Sequence, residues 1–158
     1  MKKFELTSEF FNNAFGVKLF RIRALVEFGD VKAGDLGGYI EKEDNLDHDG
    51  TAWVSGDAWV YGNAKVYGTA WVYGDAWVSG NARVSGDADY ATVKGFGRFN
   101  RSTTFFRCKD GKICVVCGCF FGDLEDFRAI VKRTHGDGKL AKEYFAIADL
   151  MEMHFEKK

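Results

Sequence analysis

The sequence predicts a mainly β fold: a short triangular solenoid of eighteen-residue coils, closed at its C-terminal end by a ββαα cap. Three observations lead there. Gly, a small polar residue and Ala return every six positions through GDAWVYGNAKVYGTAWVYGDAWVSGNARVSGDAD, residues 56–89. The slot after Ala has a longer period of its own, Trp53, Trp59, Lys65 and then Trp71, Trp77, Arg83, so that residues 53–70 match 71–88 at 13 of 18 positions. Beyond residue 93 the repeat gives way to two runs of β-formers around Asp110-Gly111 and then to two amphipathic stretches.

Taken in chain order, Leu19 to Leu25 alternates, with Arg21 and Arg23 opposite Phe20, Ile22 and Ala24, and reads as a half-buried strand. GDVKAGDLGGYIE follows as a turn-rich lead-in, in which Leu36, Ile40 and Leu46 are expected to begin the interior stack. In each hexad Ala and Val stand two apart, from Ala52/Val54 to Ala82/Val84, and therefore share one side of a short strand, while the residue between them points away. Gly and Asp, Asn or Thr make the corner; the chain has no Pro, so its turns fall to nineteen glycines and to Asp and Asn. A strand this short needs another above it, and three sides of six residues make one coil. The pattern resembles the left-handed parallel β-helix of hexapeptide-repeat proteins. One outer face then carries Trp53 and Trp71, a second Trp59 and Trp77, the third Lys65 and Arg83.

Downstream, Thr103–Cys108 and Ile113–Phe120 flank Asp110-Gly111 as a hairpin. A helix is predicted from about Asp123, with Leu124, Phe127, Ile130 and Val131 on one stripe, ending at Gly136. A second runs from about Lys139 to His154 and buries Leu140, Tyr144, Ile147, Met151 and Phe155. The expected organisation is a strand segment over 1–35, the β-helix over 36–93 and the α/β cap over 94–158, the cap covering strand edges that would otherwise lie open.

Composition bounds what such a chain does. At 158 residues and 46% hydrophobic it has material for one core plus an appendage. MKKFELTSEFF has no apolar run long enough for a signal peptide and no segment suits a membrane span, which predicts a cytoplasmic protein without membrane partners. A net charge of -1 hides a polarity: nine acids against Lys32 and Lys42 between Glu27 and Asp57, six bases against Asp110 from Lys94 to Lys112. That is not the basic footprint of a duplex nucleic-acid binder, although it leaves room for a small anion.

The order FRIRAL, GDVKAGDLGGYIE, KEDNL, the V-S/Y-GNA hexads, TTFFR, KDG, VVCGCF and THGD before KEY resembles a family of hexapeptide-repeat proteins encoded by bacteriophages and prophages, over nearly every residue from Phe20 to Tyr144. The resemblance implies a phage origin, action inside an infected bacterium and no assigned catalytic residue.

Four sets of residues are candidates for chemistry. His48, in NLDHDG, is the candidate general base of an acyltransferase reading, set against a solvated turn residue; the acyl-donor loop of such enzymes is missing. Cys108, Cys114, Cys117 and Cys119 invite a zinc site, but Cys114 and Cys117 face opposite sides of a regular strand and lack a knuckle glycine, so reduced, core-filling thiols are the simpler expectation, with no metal. The segment KGFGRFNRSTTFFR combines Lys94, Arg98, Arg101 and Arg107 with Ser102, Thr103, Thr104 and three phenylalanines. A pocket for a phosphorylated, base-bearing molecule needs those groups; a basic linker has them as well. The Trp53/Trp71 and Trp59/Trp77 columns are expected to bury against flanking segments or in a homotrimer, the alternative being a stacking wall for a flat ligand. The combined expectation is a non-enzymatic, trimeric phage protein without cofactors that binds a host molecule, in its sharpest form an inhibitor of host defence or a sponge for a nucleotide immune signal, with Lys94, Arg98, Arg101, Thr103, Thr104 and Arg107 as ligand contacts. The alternatives are an acyltransferase and an oligomer-forming structural protein.

Overall fold

The structure, a computed structural model, describes residues 2–86, 89–99, 101–118 and 120–156. β1 (Phe4–Asn12) and β2 (Lys18–Ala24) form an antiparallel hairpin, and β3 (Leu36–Ile40) pairs antiparallel with β2. Six two-residue strands follow: β4 (Trp53–Val54), β5 (Trp59–Val60), β6 (Lys65–Val66), β7 (Trp71–Val72), β8 (Trp77–Val78) and β9 (Arg83–Val84). Each pairs in parallel with the strand eighteen residues away, Trp53 with Trp71, Trp59 with Trp77 and Lys65 with Arg83. β3 lies parallel to β5 and joins the hairpin to the repeat, giving a mixed sheet of order β1-β2-β3-β5-β8; β4-β7 and β6-β9 stand as two-stranded sheets.

This organisation corrects the expected left-handed parallel β-helix. The described strands are divided among several small sheets, none of them closed on itself, and the largest is mixed. The reason lies in strand length and in the N-terminal segment. Repeat strands of two residues make only local ladders, and β1, which has no counterpart in the repeat, enters with β2 as an antiparallel edge.

The inward set of the repeat holds. Every Ala and Val from Ala52 to Val84 is at most 1% exposed, and Ile40 and Leu46 join them. Leu36 does not: it is 56% exposed, because β3 turns Gly37 and Gly38 to the interior. A Cβ on Gly37 would stand 2.5 Å from the Val54 carbonyl oxygen and 2.7 Å from the Trp53 ring, so the indole occupies the volume that a side chain would need.

The C-terminal part is an antiparallel sheet of β10 (Tyr90–Phe96), β11 (Arg101–Arg107), β12 (Ile113–Cys117) and β13 (Phe120–Asp123), four strands where the sequence suggested two. The turn at Asp110-Gly111 sets Phe106 opposite Cys114. α1 (Leu124–His135) and α2 (Lys139–His154) lie where their apolar stripes predict. Asp123 caps α1 by accepting from the Asp126 N–H at 2.8 Å, which holds its carboxyl below the usual range. Phe105 and Val115 meet Phe127, Val131, Tyr144 and Met151 in a second core. Among the described residues no helix is long and apolar enough to cross a membrane.

Two glycine substitutions separate close approach from backbone conformation. Gly74→Ala, at φ +69 with open space around it, is expected to cost about 1–2 kcal/mol for the left-handed backbone alone. Gly37→Ala must displace the Val54 backbone or the Trp53 ring and is expected to cost about 3 kcal/mol or more. Urea denaturation of both variants measures the difference; equal losses would refute this packing.

Candidate functional site

The basic segment and the two helices enclose a cavity of about 260 Å³. Arg98 and Arg101 form its cationic side, His135 and Thr134 come from the last turn of α1, and Phe120, Phe127 and Tyr144 supply rings. Arg101 opens β11, and its guanidinium lies 5.3 Å from the Phe99 ring, which is 70% exposed at the mouth. Gly118 makes room for the guanidinium and Gly97 for the Tyr144 hydroxyl, since a Cβ at either would collide with them.

At the cavity wall, Cys117 accepts at its sulfur from the buried Thr103 hydroxyl at 3.2 Å, and the Tyr144 hydroxyl meets the same thiol. Burial, with the Cys117 contact, pushes the Tyr144 phenol up to about 12; Arg101 opposes the shift. The phenol is thus a neutral donor at physiological pH. The His135 ring lies 6.0 Å from that of Tyr144 at an interplanar angle of 24°. The whole is an apolar slot with two guanidinium groups and an imidazole at its edge, suited to a flat ring that carries an anionic substituent.

The six residues expected to bind ligand are therefore not one site. Arg98 and Arg101 meet in the cavity. Lys94 is turned away and pairs with Asp75 at 3.0 Å. Thr103 is fully buried, and Thr104, 2% exposed, accepts from the Trp77 N–H at 3.0 Å, which ties the C-terminal sheet to the repeat. Arg107 donates to Asp89 at 2.9 Å and to the Phe155 carbonyl at 2.7 Å, holding the end of α2. Alternation along β11 turns Thr104 to the repeat and Arg101, Thr103 and Arg107 to the other side, where Arg107, six residues on from Arg101, reaches the end of α2 rather than the cavity.

The four tryptophans divide as well. Trp59 and Trp77 stack at 4.2 Å and 3°, with Phe11 and Phe15 against them from the N-terminal hairpin. Trp71 is half-buried on the core, whereas Trp53, 2% exposed beneath Phe28, is interior rather than an interface residue.

His48 is held on three sides. Its Nδ1 accepts from the Lys3 N–H at 3.0 Å, its Nε2 faces Glu43 at 3.4 Å, and Phe4 stacks on the ring at 4.2 Å. Both ring nitrogens are thus engaged within the protein, and the imidazole anchors the N-terminal segment.

Cys108 and Cys114 are buried and free; their mutual hydrogen bond draws Cys108 below the ordinary thiol range and, with burial, sends Cys114 far above it. No group of three or more His, Cys, Asp or Glu among the described residues is arranged to hold a metal ion, and Cys119 lies outside them.

Sequence reasoning missed His135, Tyr144, Phe120 and Phe127 as cavity residues. They were legible as helix and strand positions, not as neighbours of Arg98. The chain matches no protein-family model and no curated protein. Its likeness to phage hexapeptide-repeat proteins rests on the quoted residues alone.

One consequence of the His48 anchor is measurable. Lys3, 3% exposed, donates from Nζ to the Ala52 carbonyl at 2.7 Å, and burial lowers its pKa to about 8 from 10.5 although Asp47 and Asp49 pull the other way. The unfolded chain binds the extra proton between those values. Stability is therefore expected to rise with pH from about 8 to about 10.5 relative to Lys3→Met. Urea titrations of both proteins across that window check the sign; a flat difference would refute the assignment.

Proposed function

We propose that the chain is a non-enzymatic binding protein of phage origin that holds a phosphorylated, base-bearing small molecule, a nucleotide immune signal of the infected cell being the version with the sharpest consequences. One observation carries the reading: Arg98 and Arg101 share a cavity with the rings of Phe120, Phe127 and Tyr144. Aromatic walls accept any base by stacking, and guanidinium groups take phosphate oxygens in pairs. At about 260 Å³ the cavity matches the head of a mononucleotide, so a larger signal would extend past Phe99 into solvent. The contacts of both His48 ring nitrogens within the protein favour the binding reading over the acyltransferase alternative.

Thermal shift against a library of mono-, cyclic and ADP-ribose-type nucleotides tests this. A ligand at a hundred times its Kd adds about 2.7 kcal/mol of stability. Arg98→Ala with Arg101→Ala is expected to abolish the shift, each lost charge-assisted contact costing about 1.5–3 kcal/mol. Arg107→Ala is expected to lower the melting temperature while keeping the shift, since Arg107 ties Asp89 to the end of α2. No shift with any nucleotide, or full affinity in the double variant, would overturn the reading.

A second reading, assembly into a homotrimer, is favoured by the Trp59–Trp77 stack, which Phe11 and Phe15 cover only in part. Trp59→Lys with Trp77→Lys is then expected to reduce the sedimentation coefficient to that of a monomer, because lysine cannot be desolvated there at low cost. A wild-type monomer, or a double variant of unchanged size, would rule it out.

A further inference from the structure

The basic slot of the repeat builds a second cavity, remote in character from the aromatic one. The eighteen-residue offset sets Lys65 on β6 beside Arg83 on β9 and brings the corner residues Asn63 and Asn81 to the same side. Two other segments complete the wall. Lys42 arrives from the turn after β3, its Nζ 3.4 Å from the Asn63 side-chain oxygen. Lys109 arrives from the β11–β12 turn, whose backbone is fastened to the repeat by the Lys109 N–H on the Asn81 carbonyl at 2.9 Å and by the bridge between Ala82 and Cys108. Between them lies a cavity of about 330 Å³, lined by Lys42, Lys65, Arg83 and Lys109 against one carboxylate, Asp44.

Four cations from four segments share this cavity with one acid, and a concave wall strengthens their field relative to a flat surface. Arg83 is fixed in place, donating to the carbonyls of Asn63 at 3.0 Å and Ala82 at 2.8 Å. Lys42, Lys65 and Lys109 are exposed, and the last two have no ion-pair partner among the described residues. No aromatic ring lines the cavity, so nothing there would hold a base. The adjoining cavity of about 510 Å³ shares Lys65, Arg83 and Asp44 but adds Glu43, Asp47, His48 and Tyr67, and its acids bar an anion from spreading that way.

We propose that this cavity is a binding site for a condensed phosphate chain, with Lys42, Lys65 and Lys109 as point charges along it and Arg83 as the fixed cation at its floor. A single phosphate would satisfy only part of a charge set drawn from four segments, whereas a di- or triphosphate carries the charge to engage more of it. The same chemistry is offered by inorganic triphosphate and by the tail of a nucleoside triphosphate. The site is independent of the Arg98–Arg101 cavity and stands or falls without it.

Calorimetry of the full chain with inorganic triphosphate, at two or more set ionic strengths, tests the proposal. One ion per chain is expected to bind, with affinity falling as salt is raised. Lys65→Ala and Lys109→Ala are each expected to weaken it about tenfold. Both lysines are exposed, so circular dichroism should be unchanged, and Lys42→Met serves as a third variant that keeps the aliphatic stem. Arg98→Ala with Arg101→Ala is expected to leave triphosphate binding intact. ATP bound with the same lysine dependence would assign the site to a nucleotide tail, and ATP bound more weakly than triphosphate would assign it to the free condensed anion. Absence of binding, affinity unchanged in the lysine variants, or equal affinity for inorganic monophosphate would overturn the proposal.

Discussion

The eighteen-residue backbone register is the constraint on which the rest of the molecule depends. Trp53 donates to the Ala70 carbonyl at 3.0 Å, Trp59 to Ala76 at 2.9 Å and Lys65 to Ala82 at 3.0 Å, one ladder bond for each side of the repeat. A slip of one residue would turn every Ala and Val outward and every Trp, Lys and Arg inward, so the fully buried Ala and Val set makes that slip prohibitive. Because the register is fixed by small inward residues, the outward slot is free to vary. It then places like beside like: indole on indole at Trp59 and Trp77, cation beside cation at Lys65 and Arg83.

The C-terminal sheet is fastened to this base by polar groups that in isolation look like ligand contacts. Thr104 receives the Trp77 N–H, the Tyr90 hydroxyl donates to the Trp71 carbonyl, and Arg107 spans Asp89 and Phe155. These bonds satisfy backbone groups at a junction that would otherwise be buried without partners. They also fix where β11 begins, and Arg101, its first residue, is thereby carried to the mouth of the aromatic cavity. The structural use of Thr103, Thr104 and Arg107 and the exposure of Arg101 all follow from one strand placement.

How much of this was legible follows from the range of the interactions. Inward Ala and Val, the stacking of Trp59 on Trp77, the turn at Asp110-Gly111 and both helices depend on local period and capping, and the sequence states these directly. Fold class was not legible. The repeat pattern carries no information on β1, which alternates poorly, and it is β1 and β2 that turn the sheet containing β5 and β8 into a mixed one. Leu36 failed for a local reason that only contacts reveal, since Trp53 fills the space beside Gly37. In the candidate site the arginines were found by type, but their partners His135 and Tyr144 come from helices that the sequence could place only along the chain.

The two cavities differ in character, and the difference has one physical origin. In the C-terminal part, helices supply rings from the apolar side of their stripes, so the cavity there is a slot with charge only at its edge. On the repeat, the interior is consumed by Ala and Val, and a cavity can form only among outward residues, which on this face are Lys, Arg and Asn. The first is therefore walled by rings and the second by charge. A ligand with both a base and a long phosphate tail would be read differently at each.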